Sequence, residues 1–173
     1  MLLNNFERIY IILHPALCTN HTVRTSCPRQ LVHNYGAKYF GIFGDTCYQF
    51  VTKDSGNYET AWVECLKKRG NLAMPKTKEV NDFLWDEMKR LWQWSPMWIG
   101  MNDKDIEGEW YWEDGSKVVP WDGVMHKHTD GLFSGGEDCM ALDPSDGKWH
   151  DYRCEASGIW RDINLSYICE YPI

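Results

Sequence analysis

Cysteine and histidine are the residues of this chain best suited to covalent or metal chemistry, and their spacing decides what that chemistry can be. Seven cysteines occur, at Cys18, Cys27, Cys47, Cys65, Cys139, Cys154 and Cys169. None belongs to the clustered Cys-x-x-Cys pairs of a structural zinc site. Disulfides formed in an oxidising compartment are the better reading, although spacing alone leaves their connectivity open. His126 and His128 stand two apart on an extended segment, a spacing that can chelate zinc or copper, with His150 as a third candidate. No carboxylate or thiolate is spaced to complete such a site, so ordinary loop histidines are the stronger interpretation. Catalytic motifs are absent: there is no Gly-rich phosphate loop, nucleophile elbow or HExxH helix. His150 and Asp151 adjoin, but no Ser or Cys nucleophile is placed to use them. The chain is not expected to be an enzyme.

The elements that must carry these residues fit one domain with a short appendage, since 173 residues can bury a real core. A formal charge of −7 offers no basic stripe for nucleic acid. Ten tryptophans and nine tyrosines suit an aromatic-packed fold or an aromatic binding face. No apolar run approaches the ~20 residues of a membrane helix. Residues 1–26 read as an amino-terminal segment. Ile9 to Leu13 is apolar but short, Glu7-Arg8 interrupts it and His14-Pro15 follow, so it reads as a truncated leader and spacer. Asn20-His-Thr22 and Asn164-Leu-Ser166 match the N-glycosylation acceptor, in keeping with secretion.

Cys27-Pro28 opens the main domain, and Phe43 to Phe50 reads as a hairpin arriving at a strand. Thr60 to Arg69 predicts a first helix with Ala61, Cys65 and Leu66 on one side and Gly70 as its stop. Thr77 caps a second helix in which Val80, Phe83, Leu84, Met88 and Leu91 recur at helical spacing, ended by Ser95-Pro96. Met97 to Gly100 reads as a short buried strand with Trp98 in the core. Trp110-Tyr-Trp112 alternates into a hairpin turn at Asp114-Gly115. Val119 to Glu137 has no periodicity and reads as a long loop, of a length often functional. Trp121, Met125, Leu132 and Phe133 there form either an exposed apolar patch or the loop's own small core. Lys148 to Cys154, with Trp149 as packing, and Ser166 to Glu170 close the sheet.

One ordered set of residues runs through nearly all of the chain after Cys27: Trp62-Val-Glu-Cys65, Trp98-Ile-Gly100, Glu107-Gly108, Trp110-Tyr-Trp112, Glu137-Asp-Cys139, Lys148-Trp149-His-Asp151, Cys154 and Tyr167-Ile-Cys169-Glu170. Together these resemble the C-type lectin-like domain. The resemblance implies an α+β fold spanning 27–173, in which two helices flank small antiparallel sheets and a long irregular loop binds ligand. It also implies the pairs Cys65–Cys169 and Cys139–Cys154, with Cys27–Cys47 as the extra pair of the long form. The Cys27–Cys47 interval is longer than the family usually shows, so an insertion is expected around Val32 to Ala37. Cys18 is left over, and either bridges two chains into a dimer or leaves with a cleaved leader.

Calcium is a hard cation that wants six to eight oxygen ligands. In sugar-binding members of the family, a Glu-Pro-Asn or Gln-Pro-Asp triplet, a further Glu and an Asn-Asp pair hold the ion that binds the sugar hydroxyls. Here Glu137 and Asp151 match two of those positions, and His150 stands where the Asn would be. The triplet is missing. Its places fall on Thr129 and Gly131, and no proline occurs between Pro120 and Pro144 to supply the loop's cis peptide. Asp130 is the nearby carboxylate that could take a ligand role. For a second, structural ion the resemblance implies Asp103, Glu107 and Asp138. The expected calcium is therefore favoured at the structural site over the sugar-coordinating one. The resemblance implies a secreted, extracellular module that binds a glycan with calcium through Asp130, Glu137, His150 and Asp151. The rival is a calcium-independent domain that binds an extracellular protein through the same loop.

Overall fold

The computed structural model describes residues 26–125, 136–155 and 163–173. Cys18, Asn20, the leader segment, His126, His128, Asp130, Leu132 and Phe133 lie outside the described residues.

Among the described residues, three α-helices and eight strands follow in the order α1 (Arg29–Tyr35), β1 (Phe40–Phe43), β2 (Thr46–Gly56), α2 (Tyr58–Lys67), β3 (Asn71–Leu72), α3 (Lys78–Arg90), β4 (Met97–Asn102), β5 (Tyr111–Trp112), β6 (Cys139–Leu142), β7 (Trp149–Tyr152) and β8 (Leu165–Pro172). The strands join into one mixed sheet ordered β1-β2-β8-β4-β6-β7, with β3 on β8 and β5 on β4. The small antiparallel sheets expected from sequence are thus one connected sheet. Its parallel pair is β4 with β8, through Met97↔Ser166 and Trp98↔Tyr167.

Strand alternation sorts the core onto two faces. On one face Trp98, Tyr167 and Cys169 pack with Tyr58, Ala61 and Cys65 of α2. On the other, Met97, Ile99 and Ile168 pack with Phe83, Leu84 and Met88 of α3. Leu66, expected on the inward side of α2, is exposed instead. Gly100 lets β4 pass close to β3, since a Cβ there would stand 2.8 Å from the Leu72 carbonyl oxygen. Three disulfides staple these layers, Cys27–Cys47, Cys65–Cys169 and Cys139–Cys154, the pairs the resemblance implied.

Helix ends depart from the sequence expectation. α2 begins earlier than Thr60 because the Asn57 side chain accepts from the Thr60 N–H at 2.9 Å. It ends with Arg69, not Gly70, in the left-handed region at φ 62°. Gly70 is needed for another reason: a Cβ there would meet the Tyr171 ring at 2.5 Å. α3 starts after Thr77 as expected but stops at Arg90, ahead of Ser95-Pro96. Trp92 takes φ 55°, and its N–H donates to Lys89 O while Gln93 N–H donates to Met88 O. That pair of bonds is a Schellman ending with Trp where glycine is usual, at a cost of about 1–2 kcal/mol for a left-handed non-glycine residue. The stretch expected as an insertion, Val32 to Ala37, lies in α1 and the short 3-10 turn after it, with Val32 buried beside Cys27.

Candidate functional site

The site is assembled where β4, β6 and β7 meet the start of the long loop. Its scaffold is Trp149. Asn81 of α3 is buried, accepts the Trp149 indole N–H at 2.8 Å and donates to Gly147 O at 2.9 Å. Trp121 stacks edge-on against Trp149 at 4.9 Å, and Trp149 N–H donates to Val124 O. Trp121 and Met125 are packed against the core, so the described part of the loop folds inward here. Asn81 was missed in the sequence. A polar residue amid Val80, Phe83 and Leu84 breaks an apolar stripe, and that break was the available signal.

β7 then carries Asp151 opposite Met140, and His150 opposite Ala141. His150 Nε2 lies 3.2 Å from Asp146 Oδ2, which ties the ring to the preceding turn. Imidazole nitrogen is also a poor match for a hard calcium ion. Glu137 and Asp138 lead into β6, and both are half-buried. Tyr152 of β7 lies in the field of several carboxylates. Burial first, then the carboxylates of Asp143, Asp151, Asp146 and Glu137, push its phenol up to about 12.

Asp103 continues from β4 and is 4% exposed. Its N–H donates to Asp138 O at 3.1 Å, and its Oδ2 accepts from Gly108 N–H at 2.8 Å. Oδ1 is buried with no hydrogen-bond partner among the described residues. Burial, then the charges of Glu107 and Asp138, push its carboxyl up to about 6, against the Gly108 hydrogen bond. A buried carboxylate oxygen without a donor among the described residues, in the field of two more carboxylates, is an arrangement a cation relieves. Yet among the described residues no group of three or more His, Cys, Asp or Glu side chains converges to hold a metal. The structure thus brings Asp103 and Asp138 together and sets Glu107 near them on an exposed turn. Glu137 and Asp151 lie at the adjoining strand ends, where both carboxylates act on Tyr152.

A further polar network went unread in the sequence. The Tyr58 hydroxyl donates to Glu113 Oε1 at 2.5 Å, and Asn102 Nδ2 donates to the same oxygen at 3.0 Å. Burial, then Glu113, push the Tyr58 phenol far up. It locks β4 and the chain after β5 to α2, just ahead of Asp103.

The described residues thus form a disulfide-stapled sheet with a helix on each face, a long loop clamped on a buried tryptophan and acidic side chains spread along the strand ends beside that loop. The model of the family described as the lectin C-type domain matches residues 54–171, and the chain belongs to that family. It is 30% identical over 135 residues to C-type lectin domain family 4 member M of Gorilla gorilla gorilla, covering 78% of this chain and 33% of that protein. Against collectin-10 of Gallus gallus it is 30% identical over 131 residues, covering 73% of this chain and 42% of that protein. The chain therefore spans about a third to two fifths of the length of these relatives. Among solved structures, the mouse scavenger receptor C-type lectin carbohydrate-recognition domain superposes with a TM-score of 0.64 at 29% identity, covering 78% of this chain and 95% of that one.

Proposed function

We propose that this domain is an extracellular glycan-recognition module supported by calcium. The observation that carries the reading is the buried Oδ1 of Asp103, without a donor among the described residues and in the field of Glu107 and Asp138. Calcium held by these three residues would supply a counter-charge and brace the base of the long loop. Glu137 and Asp151, with Asp130 of the loop, are the oxygen donors proposed to face the glycan hydroxyls. His150 is proposed to orient the neighbouring turn through Asp146 rather than to bind the ion. A glycan ligand is supported by likeness to a carbohydrate-recognition domain at 29% identity. Extracellular placement and glycosylation are supported by three disulfides and by the exposed sequon residue Asn164. No helix of the described residues is long and apolar enough to cross a membrane.

The rival ligand is an extracellular protein bound without calcium, which the missing triplet favours. Glu137→Gln separates the two. Glycan binding in calcium should fall at least tenfold while the melting temperature is unchanged. Binding that survives the substitution removes Glu137 from the site.

A further inference from the structure

At the far end of β4 from Asp103, two tryptophans stand almost fully in water. Trp92 is 75% exposed and Trp94 is 79% exposed, with ring centroids 6.2 Å apart and planes 52° apart. β4 separates them from the acidic cluster by roughly 20 Å, at the usual rise of an extended strand. Trp92 holds the left-handed position of a Schellman ending, where glycine is free of strain and a bulky side chain is not. The other helix end with a non-glycine residue at positive φ among the described residues holds Arg69, whose cation complements the helix dipole; an indole offers no such return. Strain borne by an exposed aromatic side chain that packs on no core is the kind of outlier that points to a ligand.

The surroundings say what kind of ligand. Lys89 and Arg90, which precede the pair, are ion-paired within α3 to Asp86 at 2.6 Å and Glu87 at 2.5 Å. The chain carries a net charge of −7, so neither anionic lipid nor nucleic acid is drawn here. Two indoles at these exposures present roughly 400 Å², about half of the ~800 Å² a protein partner usually covers. A neutral pyranose ring fits this area. Its face of C–H groups lies flat on the electron-rich indole face, while its hydroxyls point outward to water and polar groups. Gln93 sits between the two tryptophans, its Nε2 donating to Ser95 O at 3.0 Å, so an amide is fixed in the same turn.

We propose that Trp92 and Trp94 form a second saccharide subsite, which stacks neutral pyranose rings without calcium. It stands independently of the calcium-supported site.

The test uses the full chain in EDTA, which silences the loop site, with neutral hexasaccharides of glucose and of mannose as probes. Intrinsic fluorescence and isothermal titration read binding. The wild type should bind at least one probe in EDTA with a shift in tryptophan emission. Trp92→Gly and Trp94→Ala should each weaken that binding at least tenfold. Trp92→Gly relieves the left-handed strain, so its melting temperature should hold or rise and misfolding cannot account for the loss. Glu137→Gln should leave the EDTA-resistant binding unchanged, so failure of the loop site and failure of this one are told apart. No binding to any probe in EDTA, or equal binding by both tryptophan variants, overturns the proposal. So does a partition onto phosphatidylcholine vesicles, or a self-association, that the variants abolish while no sugar binds.

Discussion

Single residues here are legible in chemical type more than in placement. Asp103, Glu107 and Asp138 were expected as one set, and the structure gathers them unevenly, with Asp103 buried and Glu107 on an exposed turn. Burial depends on where a chain turns back, which no spacing encodes. Trp92 and Trp94 show the same gap from the other side. Aromatic type suggests core, yet the end of α3 leaves both in solvent. Glu170 of β8 is a half-buried acid whose setting nothing in the sequence pattern reveals. Burial pushes its carboxyl up to about 7, against the Met74 N–H that donates to Oε2 at 3.0 Å and the charge of Lys76. The native state therefore holds the Glu170 proton more tightly than the unfolded chain, in which it leaves near pH 4.5. The contribution is fully present below about pH 4.5 and is lost as pH rises through about 7, by up to about 3 kcal/mol. Glu170→Gln should flatten that decline in denaturant melts run in EDTA between these pH values. A slope identical to wild type would show that Glu170 is not the group responsible.

Elements were read well where periodicity and caps agree. Thr77 followed by Val80, Phe83, Leu84 and Met88 gave both the start and the buried face of α3, since one physical pattern specifies both. The Cys27–Cys47 interval marks extra chain around Val32 to Ala37 but gives no helix there, because a seven-residue helix with Val32 as its buried residue leaves almost no apolar stripe. The start of α2 was misplaced because Asn57 lies before the apolar pattern begins, and a cap is recognised only beside one. The two caps also differ in geometry. Asn57 Oδ1 stands 2.9 Å from its donor, and Thr77 Oγ1 stands 3.4 Å from the Val80 N–H. Asn57→Ala should therefore cost about 1 kcal/mol, and Thr77→Ala about half of that or less. Equal losses in urea melts would mean that the longer Thr77 contact is as strong as the shorter one.

At the scale of the whole molecule, the disulfide pairs hold distant parts of one sheet together. Cys65–Cys169 closes 104 residues and joins α2 to β8, worth about 4.7 kcal/mol by loop-closure entropy. Cys139–Cys154 closes 15 residues at the base of the ligand loop, worth about 3 kcal/mol on the same footing. Those staples, the Asn81–Trp149 clamp and the inward-packed Trp121 fix the floor beneath the loop. The family and its α+β architecture were legible because cysteines and core tryptophans keep their order over nearly the whole domain. Ligand chemistry was less so, because it depends on loop side chains converging in space. The most direct measurement is a glycan-array screen of the full chain, run in calcium and again in EDTA. Glycan binding that is strong in calcium and lost for most ligands in EDTA is the predicted result. A folded chain that gives the same array signal in both buffers, or none in either, would contradict a calcium-supported glycan site.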